Sequence, residues 1–170
     1  MKLLPLESPD LVTLVARWLG DEANWKWLDF GGNQQPPTPA LIKIMAQRET
    51  NALRVFTADD DVTPIGVMGL NNINRAFKTA SAWVVLGEKS YARQGYATRA
   101  SRAVLTLGFC ELGLEAISSW AVEGNPSEEI HRRLNFHFVG RQRRCHWING
   151  QAHDRLLFDM LASEHQEASL

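Results

Sequence analysis

Apolar positions change period several times along the chain, and each change marks an element. Lys2–Leu6 is a short apolar run that predicts a first strand. Ser8-Pro9 reads as a helix start, with Ser8 as cap and Pro9 at the first helical position. Leu11, Leu14, Val15, Trp18 and Leu19 then follow at helical spacing until Gly20. Asp21–Trp27 continues as a second short helix. Gly31–Pro37 is a Gly/Gln/Pro loop, and Thr38-Pro39 opens a helix with Leu41, Ile42 and Met45 on one face, to about Arg48. The period next drops to two. Ala52–Ala58, Ile65–Leu70 and Thr79–Leu86 are strand-like runs joined by short turns, which predicts an antiparallel meander.

A polar loop, Gly87–Gln94, leads into a long helix over Gly95–Leu112, with Ala97, Ala100, Val104 and Leu107 as its stripe and Gly113 as its stop. Ala116–Val122 is a near-continuous apolar strand, the kind buried on both faces. Asn125-Pro126 opens a short helix through Leu134. Phe136–Val139 and Cys145–Ile148 read as strands, Asn149-Gly150 as a hairpin turn and Asp154–Leu161 as the last strand. Ser163–Leu170 is polar and is expected to fray. The whole is an α/β fold in one domain over 1–170, with a mixed, mostly antiparallel sheet flanked by helices.

Composition narrows the function classes. In 170 residues, 45% are hydrophobic and 22% charged, ordinary values for a globular chain. Eighteen basic residues against 19 acidic ones give a net charge of −1, which selects neither nucleic acid nor an anionic membrane. The apolar start is broken by Pro5, Glu7 and Asp10, so it is no signal peptide, and no run has the ~20 apolar residues of a membrane span. Cys110 and Cys145 are too few for a disulfide framework and, among apolar or aromatic neighbours, read as buried thiols. A reduced, cytoplasmic protein is expected. Neither a phosphate-binding P-loop nor a Gly-x-Gly-x-x-Gly turn occurs. Cys145, His146 and His153 are the nearest thing to a metal set, but adjacent strand residues point to opposite faces, so no metal is expected.

The informative stretch is Val84-Val85-Leu86-Gly87-Glu88-Lys89-Ser90-Tyr91-Ala92-Arg93-Gln94-Gly95-Tyr96-Ala97-Thr98. It is strand, loop, then helix start. Backbone N–H groups at a helix start lack internal partners and carry partial positive charge. Gly95 permits close backbone approach and Arg93 adds a cation, so the turn can seat a pyrophosphate.

Ala92-Arg93-Gln94-Gly95-Tyr96-Ala97 resembles the pyrophosphate loop of the GCN5-related N-acetyltransferases, Arg/Gln-x-x-Gly-x-Gly/Ala, with Ala92 standing where the pattern has Arg or Gln. The strand Ala116–Val122, the Asn125 turn and the helix ending Leu134-Asn135-Phe136 are similar to the family's Leu-Gly-Phe region, and Gly140–Leu161 looks like the C-terminal hairpin of the RimJ/RimL-type branch. The resemblance implies a direct transfer of acetyl from acetyl-coenzyme A to a primary amine, on a protein N-terminus or a small molecule. It implies that strands Thr79–Leu86 and Ala116–Val122 splay apart. The cofactor would then meet the backbone of Val84, Val85 and Leu86, the loop Arg93, Gln94, Gly95, Tyr96, Ala97 and Thr98, and Asn125. A homodimer is left open.

An alkylamine must lose a proton to attack, and Glu88 or Glu123, each at a strand end, could take it through water; either is equally a solvated carboxylate. The family often places a tyrosine on the helix after the Asn turn to protonate the leaving thiolate. That position is His131 here, with Ser127 one turn earlier; both are also readable as packing or first-turn residues. Asn71, Asn72 and Asn74 are substrate contacts or turn residues. Trp18, Trp25, Trp27 and Phe30 are acceptor walls or core. Arg132, Arg133, Arg141, Arg143 and Arg144 form a basic stripe that suits an acidic partner or protects a strand edge. The alternative function is a catalytically weak coenzyme A-binding or regulatory module of the same fold.

Overall fold

The structure is a computed structural model, and it describes residues 1–30 and 35–166. Part of the expected Gly31–Pro37 loop therefore lies outside the described residues. Seven strands form one sheet in the order β1-β2-β3-β4-β5-β7-β6. They are β1 (Leu3–Pro5), β2 (Ala52–Thr57), β3 (Pro64–Asn74), β4 (Thr79–Leu86), β5 (Ala116–Val122), β6 (His137–Ile148) and β7 (Gln151–Leu161). The helices are α1 (Pro9–Gly20), α2 (Glu22–Trp25), α3 (Pro39–Gln47), α4 (Tyr96–Thr106) and α5 (Ser127–Arg133).

Local chemistry sets the helix ends as expected. The Ser8 hydroxyl accepts from the Leu11 N–H at 3.2 Å, and the Thr38 hydroxyl accepts from the Leu41 N–H at 3.2 Å, each followed by proline at the first helical position. The apolar faces of α1 and α3 pack Val12, Val15, Leu19 and Ile42 against Leu53, Val55, Val67 and Val85 on one sheet face. On the other face, Tyr96, Ala100 and Val104 of α4 cover Met68, Leu70 and Ile117. Strands β2 and β3 therefore bury both faces, which their pattern in the sequence only half revealed.

One pairing positions the site. All strand pairs are antiparallel except β4 and β5, which run parallel and pair only over Thr79–Ser81 and Ala116–Ser118. Past Ser118, β5 stays registered to β7 through Val122 while β4 stays with β3. The sheet splits there into a wedge.

Several expectations need correction. The helix expected to reach Leu112 is α-helical only to Thr106; Leu107–Glu111 is π-helical, with Leu112 N–H donating to the Leu107 carbonyl five residues back at 3.0 Å. Cys110, at its end, is exposed rather than buried, and Cys145 is half-buried. The two strands expected at 136–139 and 145–148 are one strand, β6, whose register slips between Phe138 and Gly140 and again between Gln142 and His146. Arg144 has φ 51° at the second slip. Such bulges break the alternation by which a strand is recognised in a sequence. β7 begins at Gln151, three residues earlier than expected. The polar tail is docked as far as His165, whose Nε2 lies 2.8 Å from Thr106 Oγ1, instead of fraying from Ser163. No helix among the described residues is long and apolar enough to cross a membrane.

Candidate active site

The wedge opens into a cavity of about 850 Å³. Its lining comes from both sheet faces: Trp27, Leu28, Phe30, Asn71 and Trp83 from the side of α1 and α3, and Tyr96, Thr98, Ser119 and His131 from the side of α4 and α5. A single channel therefore connects the two sides through the split.

Beyond Ser81, strand β4 lines it with an edge that no strand covers. Ser118 Oγ donates to the Ala80 carbonyl at 3.2 Å, Ser119 Oγ reaches the Ala82 carbonyl at 3.0 Å, and Lys89 Nζ donates to the Leu86 carbonyl at 2.8 Å. These carbonyls face away from β3, whereas the Gly87 N–H faces β3 and donates to Ile65 at 2.9 Å. The period of two then turns the N–H and C=O of Val84 into the opening, with no strand beside them. A linear amide chain can complete such an edge as an added strand would.

The glycine turn sits at the far end of the opening. Arg93 has φ 62° and Gly95 φ 83°, so two left-handed residues alternate with ordinary ones just before α4. That curls successive N–H groups toward one point. Gly95 is the N-cap with no side-chain cap, so the N–H groups of Tyr96, Ala97 and Thr98 lack intrahelical partners. A Cβ on Gly95 would meet nothing within 4 Å. The open cradle, the orphan donors and the bare β4 edge fit a pyrophosphate with a pantetheine-like arm. The Tyr96 side chain is structural: its ring is buried and its hydroxyl accepts from the Asp59 N–H at 3.3 Å, so only its backbone faces the turn.

The remaining expected residues separate into two groups. Val84, Val85, Leu86, Arg93, Gly95, Tyr96, Ala97, Thr98, Asn125, Ser127 and His131 all line the cavity, whereas Glu88, Gln94 and Glu123 do not. Glu88 Oε1 accepts from Trp18 Nε1 at 2.8 Å and Arg17 Nη2 at 3.1 Å. Glu123 is paired with Arg141 at 2.7 Å, and Gln94 Nε2 donates to the Ser90 carbonyl at 3.1 Å. Asn125 Oδ1 accepts from the Ser127 N–H at 2.8 Å and so starts α5 beside the cavity.

His131 is 6% exposed and stacks flat on Phe158, ring centroids 4.4 Å apart, with Phe136 edge-on at 5.1 Å. Its Nδ1 lies 3.0 Å from the Ser127 carbonyl and its Nε2 2.8 Å from Ser119 Oγ. Burial lowers its pKa to about 4, against the opposing contact with the Ser127 carbonyl, so the ring is neutral near pH 7. It is thus no standing source of protons. Ser119 was not legible as a site residue. Its signal is two serines inside an otherwise apolar strand, but the sequence does not say where β4 and β5 part.

The cavity wall on the side of α1 and α3 is largely aromatic. Phe30 stands edge-on to Trp83 at 5.1 Å, and the Arg155 guanidinium lies 4.0 Å from the Trp120 ring centroid while pairing with Asp29 at 2.7 Å. Asn71 Oδ1 and Trp83 Nε1, both on residues of the cavity wall, are buried without partners. Trp18 is core, 3% exposed, whereas Trp27 and Phe30 reach the cavity and Trp25 does not. Three of the five arginines of the expected stripe are ion-paired, Arg132 and Arg133 with Glu129, and Arg141 with Glu123 and Asp154. Among the described residues no His/Cys/Asp/Glu group could hold a metal ion.

The comparisons agree with this geometry. A spermidine N-acetyltransferase from Vibrio cholerae, a point mutant of SpeG, has the same fold with a TM-score of 0.81 at 18% identity, covering 97% of each chain. A probable GNAT-family acetyltransferase from Chromobacterium violaceum ATCC 12472 matches with a TM-score of 0.74 at 25% identity, over 95% of this chain and 87% of that one. YdaF of Bacillus subtilis strain 168, provisionally named a ribosomal N-acetyltransferase, is 28% identical over 102 residues; the match spans 58% of this chain and only about half, 54%, of that relative. The model of the acetyltransferase (GNAT) domain family matches residues 1–137. With the split sheet and glycine turn in place, the chain belongs to the GNAT acetyltransferase family, whose members use acetyl-coenzyme A as co-substrate.

Proposed function

We propose that this chain transfers the acetyl group of acetyl-coenzyme A directly to a primary amine, in the manner of the RimJ/RimL-type branch. The observation that carries the reading is the Val84 backbone facing an unpaired wedge whose far end is the Arg93–Thr98 turn. Bound acetyl-coenzyme A supplies an activated acetyl thioester. The N–H groups of Tyr96, Ala97 and Thr98, with the Arg93 cation, hold the diphosphate, and Val84 holds the arm. Preorganised backbone donors at the wedge stabilise negative charge on the reacting carbonyl oxygen, each contributing about 3 kcal/mol in comparable sites.

Aromatic walls at Trp27, Phe30, Trp83 and Trp120 exclude water from the acceptor side. They favour attack by an amine over hydrolysis. Glu129, a cavity-lining carboxylate, is already occupied by Arg132 and Arg133, and Asp29 by Arg155. An acceptor carrying one amine, such as a peptide N-terminus or an amino acid amide, fits these walls better than a polycation, which needs several carboxylates. The reading leans on these walls rather than on the expected arginine stripe, of which Arg132, Arg133 and Arg141 are ion-paired.

A thiol-release assay tests the reading. Peptides with free N-termini, amino acid amides and spermidine are compared at equal concentration. Release dependent on a peptide or amide supports it, and acetyl-coenzyme A binding with no amine-dependent release supports the non-catalytic alternative.

A further inference from the structure

Three contacts around His131 cannot all be hydrogen bonds in the resting protein. The Ser127 carbonyl faces Nδ1 at 3.0 Å, Ser119 Oγ faces Nε2 at 2.8 Å, and the Ala82 carbonyl faces Ser119 Oγ at 3.0 Å. Each contact needs one proton, and both carbonyls can only accept. A neutral imidazole brings one proton and the serine hydroxyl another. The chain of three contacts therefore holds two protons and is one short.

Adding one proton completes it. The imidazolium donates from Nδ1 to Ser127 and from Nε2 to Ser119 Oγ, and the serine proton turns to the Ala82 carbonyl. No other arrangement satisfies all three. The ring is fixed for this by Phe158, which lies under it and is the residue paired with Ser119 across β5 and β7. Ser119 is also the first β5 residue beyond the last pair with β4, so its hydroxyl stands at the base of the wedge and lines the cavity. His131 Nε2 stands 2.8 Å behind that hydroxyl.

We propose that Ser119 and His131 together carry the proton that leaves the attacking amine and reaches the departing thiolate, with Ser119 as the catalytic residue and His131 as the group that stores the proton behind it. As the C–N bond forms, the ammonium proton passes to Ser119 Oγ while the Ser119 proton passes to Nε2. As the C–S bond breaks, Ser119 gives its proton to the sulfur and takes one back from Nε2. The amine has lost one proton, the thiolate has gained it, and both side chains return to their starting state. Starting from the neutral amine, one pair thus serves as base and acid in turn. Burial keeps the ring neutral at rest, and the three completed contacts are what hold the proton against that burial while it is stored. The ring's neighbours are uncharged on every side: Ser119 on β5, Phe158 on β7, Phe136 after α5, and the Ser127 carbonyl on its own helix.

The inference rests on the acetyl-transfer reading, so wild-type turnover on the amine panel comes first. Without amine-dependent release, both fall. With it, Ser119→Ala is expected to lower kcat about 100-fold, the ordinary size of such an effect, with acetyl-coenzyme A affinity within about twofold by calorimetry. Ser119→Thr restores most of the rate, His131→Gln matches the Ser119→Ala loss, and the double variant is no slower than either single one, because the two act as a unit. Unfolding curves check that each variant is folded. Wild-type kcat in folded Ser119→Ala, or losses that multiply in the double variant, would overturn the proposal alone. So would an acetyl adduct on Ser119 in the intact mass during turnover, which would make it a nucleophile.

Discussion

The indole N–H of Trp18 donates to Glu88 Oε1 at 2.8 Å, across the end of β4. It reaches there because Gly87 leaves room: a Cβ on Gly87 would lie 2.1 Å from Trp18 Cδ2. The ring packs under the strand end, and the carboxylate is committed to it and to Arg17. Gly87→Ala is therefore expected to destabilise by about 1–3 kcal/mol through overpacking, read as a lower urea midpoint with unchanged slope. Glu88→Gln keeps an acceptor for the indole and loses only an exposed ion pair, so stability should fall by less than about 1 kcal/mol and kcat by less than about threefold. A larger loss of kcat would restore Glu88 to the chemistry.

Gly95→Val should abolish binding of acetyl-coenzyme A. A new Cβ would meet nothing within 4 Å, so the effect is not one of packing. The damage comes from φ 83°, which costs a β-branched residue about 1–3 kcal/mol, and from methyl groups standing over the N–H cradle. Calorimetry should show a rise in Kd of more than tenfold, and the thermal shift produced by the cofactor should vanish.

His131 should make the protein acid-sensitive. Its folded pKa, about 4, lies below its ordinary 6.5, so between these values the unfolded chain binds the proton that the folded one refuses. The stability it contributes is whole above about pH 6.5 and is lost as pH falls toward 4, by about 3 kcal/mol in all. Urea unfolding at pH 7, 6, 5 and 4.5 should show a shallower decline for His131→Gln than for wild type, the difference isolating this group from the carboxylates.

Trp83→Phe should leave stability within about 1 kcal/mol of wild type, or raise it. The indole N–H is buried without a partner, and removing an unsatisfied donor recovers its desolvation penalty. The ring contact with Phe30 survives the exchange. A loss above about 2 kcal/mol in chemical denaturation would mean that the indole N–H is satisfied in solution.

Local signals were legible in the sequence wherever the chain acts on itself. Ser8-Pro9 and Thr38-Pro39 cap their helices as read, because a cap needs only residues three apart. The Gly95 turn was legible for the same reason. What depends on partners distant in sequence was not. The merger of two expected strands into β6 rests on bulges set by pairing with β7. The pairing of Arg141 was hidden because Glu123 and Asp154 come from other segments. His131 could be placed by counting along α5, but its neutrality follows from Phe158 and Phe136, and its serine partner comes from β5.

The parting of β4 from β5 bears on handling as well as on chemistry. Beyond Ser81 and Ser118 the domain carries a raw seam, two facing strand margins with peptide groups unmet by each other. Elsewhere in proteins such margins recruit foreign strands. In the proposed binding mode the arm of the co-substrate would close the seam from within, so preparations stripped of coenzyme A should cluster on storage sooner than loaded ones. Light scattering of the two side by side would show the nucleotide acting as a plug against self-association.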